Sequence, residues 1–182
     1  LRRRQRQMCI RDRFYIEEDG HKYMFWGSFR GIWAIELADD GLSLKPGAGK
    51  RKIAGDQYEG TYIHKRDGYY YLIVSTGDFM KDYHVVVGRS RSLMGPYVDR
   101  AGRDMLGVHH ELVVGNGNGF VAPGHNAEFI TDDKGQDWML YHTRLEVGGP
   151  RYLLLDRIEW NDGWPEVRGH VPARSAEAPV FE

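Results

Sequence analysis

Two ionisable side chains stand at matching distances ahead of turn glycines. Glu59 lies nine residues before Gly68, and His125 lies ten residues before Gly135. Both sit in small, turn-prone surroundings, Tyr58-Glu59-Gly60-Thr61 and Pro123-Gly124-His125-Asn126-Ala127. A carboxyl group held in such a place can give or take a proton, and a histidine can do the same or bind a metal ion. The competing readings are a solvated loop carboxylate for Glu59 and, for His125, a packed histidine bonded to a backbone carbonyl. The third equivalent position, nine residues before Gly20, is Arg11.

The elements that position these residues form an internal repeat. Glu18-Asp19-Gly20 leads to Tyr23-Met24-Phe25-Trp26, Arg66-Asp67-Gly68 to Tyr71-Leu72-Ile73-Val74, and Asp133-Lys134-Gly135 to Trp138-Met139-Leu140-Tyr141. Each glycine suits a tight hairpin that needs positive φ, and each apolar run reads as a strand from its β-branched and aromatic content. A short strand precedes each turn, at 14–16, 60–63 and 127–130. Another follows each hairpin, at 31–37, 83–89 and 151–157. No stretch has a convincing helical period. Units of roughly 50–65 residues built from successive antiparallel strands predict propeller blades, about three of them, rather than a meandering sandwich. The innermost strand of a blade lines the central funnel, so residues just ahead of each first strand face it.

Composition narrows the function. The net charge of -1 gives no electrostatic support to nucleic-acid binding. No apolar run approaches the roughly 18 residues needed to span a membrane. Cys9 is the only cysteine, so no intrachain disulfide forms. The aromatic share of 13% suits both sheet packing and clefts that stack on sugar rings. Residues 1–13 hold six arginines and no strand period, and they read as a non-native leader rather than a basic arm. The expected domain is therefore 14–182, an all-β, partial propeller.

From Phe14 to Val167 the sequence resembles glycoside hydrolase family 43, most closely its endo-arabinanase-like bacterial members. The matching pieces are Trp26-Gly27-Ser28-Phe29, the run from Tyr58-Glu59-Gly60-Thr61 to Tyr71-Leu72, Val87-Gly88-Arg89-Ser90 with Gly95-Pro96-Tyr97, Pro123-Gly124-His125-Asn126, Asp137-Trp138 with Tyr141-His142, and Trp160 with Gly163-Trp164-Pro165. Each is weak alone, but their order and spacing are specific. The resemblance implies a five-bladed β-propeller and an inverting glycosidase cleaving α-1,5-linked arabinan, with Glu59 as general acid. An inverting enzyme needs one protonated carboxyl and a second carboxylate roughly 6.5–9.5 Å away to activate water.

The resemblance also implies two further aspartates. The base belongs to a blade absent here. The aspartate that orients the acid falls by register on Arg11, while Asp12 stands one position off and stays unassigned. His125 matches a histidine that reaches an ion on the propeller axis, usually calcium, with waters filling most of the shell. His142 and Arg144 remain unassigned. The expected partner is arabinan or an arabino-oligosaccharide, and the expected setting is secreted or periplasmic, with a monomer when full length. Exo-acting arabinofuranosidase or xylosidase activity and a non-catalytic carbohydrate-binding propeller are the alternatives. With one catalytic carboxylate assigned, the chain by itself is expected to be inactive.

Overall fold

A computed structural model describes residues 12–182. Among them fourteen strands and one short 3₁₀ turn, Arg168–His170, account for the regular structure. The first sheet is a meander of β1 (Arg13–Glu18), β2 (His21–Trp26), β3 (Ile32–Leu37) and β4 (Arg51–Ala54). The second repeats that order with β5 (Glu59–Arg66), β6 (Tyr69–Thr76), β7 (His84–Ser90) and β8 (Glu111–Val114). Antiparallel four-stranded meanders in succession are propeller blades.

The third sheet departs from this plan. β11 (Asp137–Arg144) pairs with β12 (Tyr152–Arg157) on one side, while its other side is shared by β9 (Val121–Gly124) and β10 (Phe129–Thr131). Its innermost strand is thus broken in two, and His125 stands at the break with φ of 53°. β13 (Glu159–Asn161) and β14 (Trp164–Glu166) form a separate hairpin.

The turns show why these residues fold as hairpins. Asp19–Gly20 and Asp67–Gly68 have positive φ at both positions, 51° with 78° and 51° with 73°. That geometry matches the right-handed twist of the flanking strands. The same Asp-Gly signature, at Asp162–Gly163, builds β13–β14. The third repeat uses a longer loop instead. There the Asp132 carboxylate accepts the backbone N–H groups of Lys134 and Gln136 and the Trp138 indole N–H.

Packing follows the two faces of the middle sheet. In β6, Leu72 and Val74 face the first sheet and join one core cluster with its Phe25 and Ile32 and with the neighbouring Val86 of β7. Tyr71 and Ile73 face the third and join a second cluster with its Met139, with Trp164 of the β13–β14 hairpin and with the neighbouring Val85 and Val87 of β7. The alternation of β6 is intact, but both faces are buried, so it reads in the sequence as one apolar run. Burying each such side chain contributes about 1.5–3 kcal/mol.

Beneath the Glu59 end of β5, the fully buried Tyr58 places its hydroxyl 2.8 Å from His110 Nδ1. Burial, reinforced by His84, pushes the His110 pKa down from 6.5 to about 4. The folded chain therefore takes up this proton near pH 4 and the unfolded chain near 6.5. Stability from His110 is complete above the unfolded value and is lost as pH falls through that window. The urea midpoint should drop between pH 7 and pH 4, and His110→Gln should shrink the drop. An identical pH dependence in the variant would refute the assignment.

Candidate active site

Glu59 opens β5 and pairs with Ser75 of β6. Immediately afterwards a bulge at Gly60–Thr61 puts one extra residue into β5, since the next pair is Tyr62 with Ile73. Bulges bend a strand and re-aim its side chains. The Glu59 side chain is turned into a nearly closed setting, 9% exposed. Both its oxygens are engaged. Ser28 Oγ, from the β2–β3 loop of the first sheet, donates to Oε2 at 2.9 Å, and the Tyr83 hydroxyl donates to Oε1. The backbone supports this meeting, because Phe29 N–H donates to Tyr58 C=O at 3.0 Å across the two sheets.

Tyr83 belongs to the loop before β7 and is buried. Its ring lies close against Gly124, where any Cβ would approach Tyr83 Cδ1 to 2.1 Å. His142 stacks parallel to Tyr83, with centroids 5.8 Å apart, and nearly parallel to His125 at 6.3 Å. Burial, with help from Arg151, His125 and Arg144, pushes the His142 pKa down to about 4, so it is neutral. Arg144 is itself buried and donates to Phe79 C=O.

His125 is fixed through its backbone, whose N–H donates to Ser75 Oγ at 2.8 Å. Its Nε2 faces Asp12 Oδ1 at 3.2 Å, and its Nδ1 lies 3.5 Å from the Tyr83 hydroxyl. Asp12 raises the His125 pKa; burial opposes this, and the charge of Glu59 adds to the rise. Asp12, His125, Tyr83 and Glu59 thus form one line of contacts running across three sheets.

Asp12 is the residue the spacing missed. β1 pairs with β2 without a bulge, from Arg13 opposite Trp26 to Glu18 opposite His21. One step further places Asp12 opposite Gly27, seven residues past Gly20, as Ser75 lies seven past Gly68. Without the extra bulge residue, the equivalent of Glu59 is eight residues before the turn glycine, which is Asp12 and not Arg11. Arg11 itself lies outside the described residues, as do Cys9 and nearly all of the arginine-rich leader. By the same pairing Gly124, opposite His142, is the strict counterpart of Glu59, and His125 follows it. Ser28, within the Trp26-Gly27-Ser28-Phe29 piece, and Tyr83, at the head of a predicted strand, were not singled out as site residues, since their roles depend on contacts between distant segments.

A hollow of about 270 Å³ lies beside this line, walled by Asp12, Gly60, Thr61, His125 and Asn126. Among the described residues no three His, Cys, Asp or Glu side chains converge as a metal cluster. The same wall carries buried oxygens without partners. Both Asp12 carboxylate oxygens, Thr61 Oγ1 and Asn126 Oδ1 lack a hydrogen-bond partner, although Asp12 keeps its ion-pair approach to His125. Orphaned buried oxygens are costly unless something satisfies them. Their chemistry fits a hard cation such as calcium, which takes six to eight oxygen ligands.

The model of the glycosyl hydrolases family 43 matches residues 2–165. An extracellular endo-α-(1→5)-L-arabinanase of Thermotoga petrophila is 32% identical, over 82% of this chain and 39% of its own length. An extracellular exo-α-(1→5)-L-arabinofuranosidase of Cellvibrio japonicus is 33% identical, over 83% of this chain and 49% of its own. The chain thus spans less than half the length of these curated relatives. Among solved structures, Cellvibrio cellulosa α-L-arabinanase complexed with arabinohexaose superposes with a TM-score of 0.77 at 30% identity, covering 85% of this chain and 56% of that one.

The contact between Tyr83 and Gly124 is open to test. Gly124→Ala should displace the Tyr83 ring and cost about 1–3 kcal/mol, the usual scale for overpacking. Gly49→Ala, where a Cβ meets nothing within 4 Å, should stay within about 0.5 kcal/mol of the parent. Equal urea midpoints for the two variants would contradict the packing described.

Proposed function

Because this chain belongs to glycosyl hydrolase family 43, whose members are five-bladed β-propellers, we propose that the protein it forms hydrolyses α-1,5-linked arabinan with inversion, Glu59 being the general acid. One observation carries this reading: a buried carboxyl group with both oxygens held, placed at the head of an innermost strand and linked through Tyr83 and His125 to a second buried carboxylate, Asp12. In this role Glu59 gives its proton to the leaving glycosidic oxygen. Ser28 and Tyr83 fix which way the carboxyl points, and proton transfer depends strongly on such positioning. Asp12 acts on the acid at one remove, orienting His125, which meets Tyr83. The carboxylate that activates water comes from a part of the propeller outside these residues, so the chain by itself is proposed to be inactive.

The named relatives also support the substrate and the setting. Arabinan-active enzymes recur among them, and several are named as extracellular, so export is part of the proposal. The exo-acting Cellvibrio japonicus relative favours one second reading, removal of terminal arabinofuranose. The natural full-length gene product should be assayed on linear arabinan and on nitrophenyl arabinofuranoside. Release of oligosaccharides supports endo action, and release of monomer alone supports the exo reading. Glu59→Gln should lower turnover of arabinan by about 10²–10⁴-fold and that of a substrate with a very good leaving group by much less. Equal losses on both substrates would remove Glu59 from the acid role.

The hollow beside His125 is proposed as a calcium site, held by Asp12, Thr61 and Asn126 with His125 at its margin and waters completing the shell. Bound there, calcium would supply a fixed positive charge that ties three sheets together. A ligand that binds only the folded state raises its stability. Calcium should therefore raise Tm relative to chelator, and Asp12→Asn should abolish the increase. An unchanged Tm with calcium in excess would rule the site out.

A further inference from the structure

The far end of the middle sheet carries a second constellation. β5 is eight residues long, so at about 3.3 Å per residue its Gly68 end lies roughly 25 Å from Glu59. There the Arg89 guanidinium sits 4.5 Å from the ring centroids of both Tyr69 and Trp164. Arg91 sits 3.6 Å from Tyr69, and Arg100 lies 5.5 Å from Trp164. The three arginines border a groove of about 440 Å³.

Their charges are unequally matched. Arg100 is shared between Glu111 at 3.6 Å and Asp162 at 3.8 Å. Asp99, which also borders the groove, is used up by Arg103 and by the backbone N–H groups of Ala101 and Arg103. Among the described residues Arg89 and Arg91 have no carboxylate partner. Each makes one long hydrogen bond, to Gly163 C=O and Gly68 C=O respectively, both at 3.3 Å. A guanidinium has five N–H donors, so most remain available. Two like charges on one tyrosine repel each other, and the ring's attraction offsets only part of that repulsion. An anion reaching either guanidinium from the groove would relieve part of the rest, and the stacked rings hold each fork in place. Such a planar, pre-set fork suits a carboxylate in a way that a lysine does not.

We propose that this groove binds the carboxylate groups of a uronate-bearing saccharide chain, at a site separate from the cleft. The choice of a saccharide rests on the proposed polysaccharide substrate; the choice of a carboxylate rests on the arginines alone. The test is affinity electrophoresis of the 182-residue chain in gels holding polygalacturonate, its methyl ester or dextran sulfate, at physiological ionic strength. Polygalacturonate should retard the chain and the methyl ester should not. Arg89→Gln/Arg91→Gln should weaken the retardation on the order of tenfold, the scale of losing a charged hydrogen-bonded contact. Arg51→Gln/Lys134→Gln, which removes equal charge from exposed positions elsewhere, should leave it unchanged. Equal weakening in both double variants would overturn the site. Equal retardation by dextran sulfate would reduce it to a general polyanion surface and overturn the uronate assignment. Circular dichroism checks that the variants fold. Arg91→Lys, which keeps the charge but loses the fork, should still weaken binding, and full binding by it would also overturn the proposal. Glu59→Gln should bind polygalacturonate as the parent does, so the outcome is independent of whether arabinan is cleaved.

Discussion

Burial of both faces of β6 is the constraint from which the arrangement follows. A strand whose alternate side chains both need cover must lie between two other sheets. Leu72 and Val74 require the first sheet, and Tyr71 and Ile73 require the third. Once three sheets are stacked in this way, the heads of their innermost strands are brought to one place. Ser28, Glu59, Tyr83 and His125 meet there because the apolar layers leave their strands no other position.

Charge at that place is arranged economically. Glu59 receives two hydroxyl donors and no cation directly. The cationic form of His125 is favoured by Asp12, its nearest partner, and His142 is kept neutral by burial between His125 and Tyr83. The neutral Tyr83 ring, with His142 stacked on it, therefore stands between Glu59 and the Asp12–His125 pair. The buried oxygens left unsatisfied at Asp12, Thr61 and Asn126 belong to residues that wall the hollow. Both Glu59 oxygens are thus bonded, whereas the oxygens of Asp12 are not.

The hairpins were legible in the sequence because two-residue Asp-Gly turns impose their own backbone geometry. Asp19–Gly20 and Asp67–Gly68 needed no tertiary information. The outer strands β4 and β8 were not legible, since four residues with two or three apolar side chains carry no period, and they exist through pairing with β3 and β7. The loop after β10 was readable only as a glycine turn, because its shape depends on Asp132 bonding to Trp138. Glu59 could be placed by counting, but Asp12 could not. Counting assumes equal strands, and the bulge after Glu59 adds a residue that the first sheet lacks. The role of Tyr83 was invisible for a different reason: its partners, Glu59 and Gly124, are 24 and 41 residues away in the chain.

Asp12, Glu59 and Gly124 occupy one pairing position in three successive sheets. The gap between any two groups placed there is a chord, fixed by the angle through which one sheet is rotated from the next. For a pair of carboxylates at such positions, that gap selects between attack by water and attack by the carboxylate itself, and hence the configuration of the released sugar. Point substitutions at the strand heads can then change which groups meet there without altering that spacing.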